Sequence, residues 1–468
     1  MNWTKETIHE AVVAQRSFFE TGITLPVSWR IEQLQKLKNA VKQNQALLED
    51  ALRQDLGRCS AEAYLADIGT VLLETQEAID HVREWAKPEK HFSGLLNFPS
   101  LVTNVYKMPY GVTLIISPFN FPFLLSLGVL SAAMAGGNTA VIKASSKSVQ
   151  CTKVLKKMIA ETFPAEYVTV VDGGHDLADA CLQERVDKIF YTGSPAVGRH
   201  VLRMAAENLV PTALELGGEN GNWCIVRKDA NLRDAAEKIA FFKSMNAGQV
   251  CININQVAIA SEVADEFLIY LREAFIQQLG VNPHENEEYA CLINDRAYEG
   301  CVREAQQYAD RILFGGKGDL ATRKFDPTVF YPIAIDEPIV QHELFNPLLP
   351  VVPFADAKIE ELLRVIQQRE HGLAFYLFTK DTAWAKRVLS TMQYGGGCIN
   401  EVCNHLIVKG VPFNGTGHSG MGAYHGVWGF REFTHPSTVL IGSSSFRLSI
   451  RQHPYSALKK KILERMEK

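Results

Sequence analysis

Nothing in the sequence supplies a disulfide framework or a clustered metal site. The nine cysteines among 468 residues are odd in number and scattered, and no Cys-x-x-Cys pair occurs. Disulfide scaffolds and structural zinc modules need tighter spacing, so reduced thiols in a cytoplasmic protein fit best. The thirteen histidines form no His-x-x-x-His or His-Glu-x-x-His pair, and no metal site is expected. A large charge of one sign is also missing: 48 Lys and Arg against 52 Asp and Glu leave a formal charge of -4. No global basic field exists to hold a polyanion, so nucleic acid is not an expected partner. Glycine, at 33, and proline, at 19, are ordinary, which removes collagen-like and low-complexity classes.

A membrane span is absent too. Met108 to Ile142 carries no charged residue, but a spanning helix needs about 20 consecutive apolar residues. Pro109, Gly111, Pro118, Asn120, Pro122 and the Gly136-Gly137-Asn138 turn cut the stretch into shorter pieces. The N-terminal MNWTKETIHEAVVAQRSFFE has early acids and no apolar core, so it reads as an amphipathic helix rather than a signal peptide. The basic LKKKILERMEK end could meet an anionic membrane surface, but reads first as a solvated helix.

What is present is a well-cored chain of 47% hydrophobic residues, enough for two or three domains. Residues 4–87 have helical spacing throughout, Pro88 stops the last helix, and a short Pro- and Gly-bearing segment runs to about Val105. Then the period changes. Short β-rich runs start at Val112, Thr139, Tyr167, Lys188 and Pro211, with helical segments 121–135, 147–162, 175–184 and 195–208 between them. Such alternation predicts an α/β fold, a doubly wound parallel sheet of dinucleotide-binding type, with ligands beyond the strands' carboxyl ends. A second α/β alternation follows Gly217-Gly218: WCIV, a helix over 231–247, QVAIA, a helix over 263–279, then PTVFY, PLLPVVPF, LAFYLF and GGGCIN. The expected division is a dinucleotide-binding domain of 1–87 and 106–216, a catalytic domain of 217–401, and small bridging or oligomerisation segments at 88–105 and 402–468.

Chemistry-bearing residues stand where such a sheet presents its ligands. Cys251, in MNAGQVCININ, lies between a helix and a strand with polar neighbours that suit a thiol nucleophile. Glu215 closes an apolar strand in LELGG, a place for a general base with a raised pKa. Asn120 follows the first strand in SPFNFPF, where its amide could donate to an oxyanion. The Gly193-Ser194 turn, with Gly198 a turn further on, opens a helix and suits a phosphate, although it lacks the full G-x-G-x-x-G spacing. Each has a plain structural alternative: a core cysteine, a paired strand-end charge, a turn asparagine, an ordinary helix start.

Taken in order, SPFNFP, VIKASS, TGSPAVG, LELGG, NAGQVC, ELFNPLLP and FNGTGHSGMG resemble the successive motifs of the NAD(P)-dependent aldehyde dehydrogenase superfamily. The closing GMGAYHGVWGFREFTH is most similar to its class 3 branch, which includes fatty- and aromatic-aldehyde dehydrogenases. The resemblance implies oxidation of an aldehyde to a carboxylic acid. Cys251 would attack the carbonyl carbon, Asn120 and the Cys251 N–H would hold the oxyanion, and Glu215 would activate the water that cleaves the thioester. Lys143 would bind the adenine-side ribose, Ser194 the pyrophosphate and Glu343 the nicotinamide ribose, with Phe345 beside the ring. A homodimer is also implied, with the strand-like Ser437–Ile441 segment available to a partner sheet.

Several positions depart from the family pattern: Phe119 for tryptophan, Val250 for threonine, Glu219 for lysine, Asn346 for glycine, and Asn414 and His418 in the last glycine-rich loop. They bear on the substrate range, for which the resemblance favours medium- to long-chain aliphatic or aromatic aldehydes. Ser146 stands where NAD-preferring relatives carry a glutamate. A carboxylate there would repel a 2′-phosphate, so NADP is expected to serve comparably with NAD. Ser146 also suits a helix N-cap. Two other readings compete: a CoA-acylating relative, against which Glu215 argues, and a non-catalytic cofactor-binding protein on the same fold.

Overall fold

The computed structural model describes residues 3–446 and 448–466. Its first sheet contains the five expected parallel strands, in the spatial order Thr212–Leu216, Lys188–Gly193, Val112–Ile116, Thr139–Lys143, Val168–Val171. The chain winds outward from Val112–Ile116 through two strands, then returns to lay Lys188–Gly193 on the other side of its starting point. Between these two strands the winding reverses, and a crevice opens at such a point in a doubly wound sheet. A sixth, two-residue strand, Gly420–Met421, pairs antiparallel with Glu215 and Leu214 and closes that edge. The β-branched and aliphatic runs are buried on both faces because helices cover both sides.

The second sheet has seven strands in the order Ile312–Phe314, Thr328–Phe330, Leu348–Phe354, Gln256–Ala260, Trp223–Val226, Ala374–Phe378, Gly396–Ile399. All pairs are parallel except the first. A third sheet joins Glu89–Phe92, Val102–Pro109 and Thr434–Leu440 as antiparallel neighbours.

Three details differ from the sequence-based expectation. The helical stretch 4–87 is divided: Lys5–Glu20, Val27–Gln43, Gln45–Leu56 and Gly69–Trp85 are separate helices, with shorter turns at 60–68. Gly57 ends the third in the left-handed region, φ +65°, and a Cβ there would come within 3.0 Å of the Cys291 nitrogen. That turn sends Arg58 inward. The helix expected over 231–247 stops at Ser244, because Asn246 and Ala247 both adopt φ +50°. The bridging segment 88–105, in which the sequence marks no strand, holds Glu89–Phe92 and the first half of Val102–Pro109 paired as an antiparallel hairpin. The strand at Thr434–Leu440 pairs within its own chain along Val102–Pro109, using one of its edges. Among the described residues no helix is long and apolar enough to cross a membrane.

Candidate active site

A cavity of about 390 Å³ lies at the carboxyl ends of the first sheet, at the point of winding reversal. Cys251, Glu215, Asn120, Lys143, Ser146, Gly193, Ser194, Glu343 and Phe345 all line it. Gly198 does not. A Cβ on Gly198 would meet Leu216 at 2.9 Å, so this glycine serves close packing of the Pro195–Glu207 helix on the Thr212–Leu216 strand.

Asn120 is buried, and its Nδ2 donates to the Gln249 carbonyl at 3.1 Å. That leaves the second N–H of the amide for a ligand. Cys251 is half-buried, and its carbonyl accepts from Asn222 Nδ2 at 2.8 Å. The same amide donates to the Asn253 carbonyl at 2.8 Å, and its oxygen accepts from the Ala374 N–H at 2.7 Å. Burial, then the Glu343 and Glu215 carboxyls, push the Cys251 thiol up to about 12. Glu215 is buried with neither oxygen hydrogen-bonded, and burial, then Glu432, hold its carboxyl well above the usual range. Ionising a carboxyl that is buried with no protein hydrogen bond is costly.

The other end of the cavity fits a dinucleotide. Ser194 caps the Pro195–Glu207 helix, its Oγ accepting from the Val197 N–H, and Pro195 occupies the first helical position. The remaining free N–H groups of such a terminus favour a pyrophosphate. Lys143 is buried, and Nζ donates to the carbonyls of Ala144 and Gly173, both at 2.8 Å. One of its three N–H groups remains for a ribose hydroxyl. Burial lowers the Lys143 pKa, while Cys181, Asp172 and Asp176 oppose the shift. Glu343 Oε1 is buried without a partner, and burial pushes its carboxyl up to about 8 against the pull of Lys243. An orphaned acceptor of this kind suits a ribose diol. Phe345 meets Phe119 edge-on, with ring centroids 6.0 Å apart, and Lys147 Nζ rests 5.1 Å above the Phe119 ring. Ser146 does not cap the next helix. Asp55 does so from a distance in sequence, accepting from the N–H groups of Gln150 at 3.2 Å and Cys151 at 2.8 Å.

Two of the departures from the family pattern meet each other. Glu219 Oε2 lies 2.7 Å from His418 Nδ1, while Arg199 holds the other Glu219 oxygen at 2.6 Å. Asn346 presents its carbonyl to Gly248, where a Cβ would fall 2.1 Å from that oxygen, so the NAGQVC glycine has a steric cause. Sequence reasoning missed Arg58, Asp67, Asn222, Asn246, Gln249 and Gly217. The polar residues flanking Cys251 were the available signal for two of them, Asn246 and Gln249, which bond within the loop that carries the thiol.

A dinucleotide-type sheet whose crevice ends at a thiol and a buried carboxyl belongs with the nicotinamide-dependent dehydrogenases that act on carbonyl compounds. The profile of the aldehyde dehydrogenase family matches residues 1–439, and the chain belongs to that family. It is 35% identical over 448 residues to 4,4'-diaponeurosporen-aldehyde dehydrogenase of Staphylococcus aureus, covering 96% of each chain. It is 32% identical over 437 residues to the dimeric NADP-preferring aldehyde dehydrogenase of Canis lupus familiaris, covering 93% of this chain and 94% of that one. The solved substrate-bound state of Staphylococcus aureus AldH superposes with a TM-score of 0.95 at 34% identity, covering 100% of both chains. Further relatives are named as family 3 members, which places the chain in class 3. The protein oxidises an aldehyde to an acid with NAD or NADP.

Proposed function

We propose that Cys251 is the nucleophile, Asn120 the oxyanion donor and Glu215 the base that activates water. The observation that carries this reading is their convergence on one cavity from three separate chain segments. The Cys251 thiol passes its proton to water, which accounts for the one proton the overall oxidation releases, as sulfur bonds the carbonyl carbon and the oxygen takes up the negative charge. The free Asn120 N–H and the Cys251 main-chain N–H stabilise that charge. The nicotinamide, when bound, supplies the two-electron acceptor for the hydride leaving the same carbon. Loss of hydride restores the carbonyl as a thioester on Cys251. Glu215 then takes a proton from water as the hydroxyl adds to the thioester; the C–S bond breaks to give the acid, and the departing sulfur takes that proton back from Glu215. Replacing Cys251 with Ala should abolish aldehyde-dependent NAD(P)H absorbance while cofactor binding persists. Residual turnover within about tenfold of the parent, a barrier difference near 1.4 kcal/mol, would overturn the assignment.

For the substrate we propose a long, apolar aldehyde, on the name of the Staphylococcus aureus relative and the class 3 membership. A panel of aldehydes compared by kcat/KM tests it. The CoA-acylating alternative predicts thioester product when CoA is added; the buried, unbonded Glu215 carboxyl in the same cavity as Cys251 favours hydrolysis instead. The homodimer and cytoplasmic location are also proposals. They are supported by the canine relative's description as dimeric, the remaining open edge of Thr434–Leu440, and nine unpaired cysteines. Light scattering that returns only monomer would refute the dimer. The division into 1–87 with 106–216, 217–401, and the bridging segments 88–105 and 402–468 is likewise a proposal. It is supported by the parallel strands of the two large sheets falling within 112–216 and 223–399, although the strand Val102–Pro109 runs across its 105/106 bound.

A further inference from the structure

The two reacting groups come from different sheets: Asn120 follows a strand of the first, and the Cys251 loop precedes a strand of the second. Something must set their separation, and one fully buried guanidinium touches both loops. Arg58 Nε donates to Asn246 Oδ1 at 2.9 Å, and Nη2 donates to the main-chain carbonyl of Asn120. Nη1 donates to Asp67 Oδ2 at 3.3 Å, and the guanidinium lies 4.4 Å over the Phe121 ring. Asp67 in turn accepts from the Leu124 N–H, so Arg58 and Asp67 grip both ends of the Asn120 turn.

The Cys251 loop is gripped as firmly. Asn246 and Ala247 stand consecutively at φ +50°, a conformation that costs on the order of 1 kcal/mol or more for each non-glycine residue. Polar bonds hold it. Asn246 Nδ2 donates to the Asn120 carbonyl at 3.1 Å and to the Gln249 carbonyl at 3.0 Å, and its N–H donates to Glu62 Oε1 at 2.8 Å. The Asn120 side chain also donates to that Gln249 carbonyl. Arg58, Asn246 and Asn120 therefore form one closed circuit between the oxyanion amide and the loop of the thiol. A buried ion pair needs further hydrogen bonds for its remaining N–H groups; here one of them goes to the main chain of the residue that must aim its amide.

We propose that Arg58, acting through Asn246, is a positioning residue for the oxidation: it fixes the Asn120 amide relative to Cys251. This rests on the roles given to those two residues above. The test uses Asn246→Gly, which keeps the left-handed turn without strain and deletes the amide, and Arg58→Lys, which keeps the charge but replaces the planar fork, whose three nitrogens each face a different acceptor, by a single ammonium. Each is made alone and together with Asn120→Ala. Three quantities are read: kcat and KM for an aldehyde, the rate of the first NAD(P)H turnover, and iodoacetamide alkylation of Cys251 followed by peptide mass. Alkylation needs the thiol but no oxyanion site. Each single variant should lose roughly tenfold or more in kcat and in the first turnover, with KM and alkylation within about threefold. In the Asn120→Ala background neither should cause further loss, because the group being positioned is gone. Losses that multiply with Asn120→Ala, or normal kcat in both variants beside a slow Asn120→Ala, would overturn the positioning role alone. A normal Asn120→Ala enzyme would instead overturn the reading beneath it.

Discussion

Gly217 offers a quantitative test of how the cofactor ribose is held. A Cβ added there would lie 1.9 Å from Glu343 Oε1, 2.5 Å from its Cδ and 2.6 Å from Oε2. Carbon and oxygen need about 3.5 Å, so Gly217→Ala must displace the carboxyl by roughly 1.5 Å. The backbone of Gly217 is outside the left-handed region, so alanine fits the chain path and the fold should survive. A hydrogen bond to a charged group contributes about 1.5–3 kcal/mol, and losing it should weaken cofactor binding roughly 10- to 150-fold. Calorimetric titration of NADH and NADPH measures this directly, with thermal unfolding as the control. A dissociation constant within twofold of the parent would mean that Glu343 does not bind the ribose from its present position.

Glu215→Gln should slow turnover by about 10²–10⁴-fold, the range of a lost general base, and let the acyl-enzyme accumulate in intact mass spectra. Normal turnover would assign the base to another group. The pH profile should rise from pH 6 to pH 9, because the thiol pushed up to about 12 and the Glu343 carboxyl pushed up to about 8 must both lose protons to act; a kcat/KM that falls over that interval would contradict it. NADP should serve within about tenfold of NAD, and Ser146→Glu should depress NADP use selectively, as paired kcat/KM values for the two cofactors would reveal.

The central strands were legible because burial on both faces leaves unbroken runs such as VTLII and TAVIK, which few other settings tolerate. The Glu89–Phe92 and Val102–Pro109 hairpin was not. Most of its residues are exposed, and Gly94 and Pro99 in its loop read as a connection. Arg58 was invisible for a different reason. In sequence it is one more charge among helical charges, and its burial depends on Gly57 ending a helix in the left-handed region. The Glu219–His418 pair shows a third limit: two departures 199 residues apart look independent until folding brings them into contact. The cofactor end of the cavity was readable from motif order, whereas Gly217 is explained only by the carboxyl that fills its missing Cβ.

The short Gly420–Met421 strand bears on how the protein is made. It covers the outer edge of Leu214 and Glu215, yet it follows them by some two hundred residues of chain. Until that segment leaves the ribosome, the strand carrying Glu215 is a bare sheet edge with its N–H and C=O groups unclaimed. The whole of the second sheet must be synthesised in the interval. A nascent chain stopped short of residue 420 would hold most of the first sheet with this edge open, ready to pair with a neighbouring chain on the same polysome. The closing strand thus makes completion of synthesis, rather than completion of the first sheet, the moment at which this edge becomes safe.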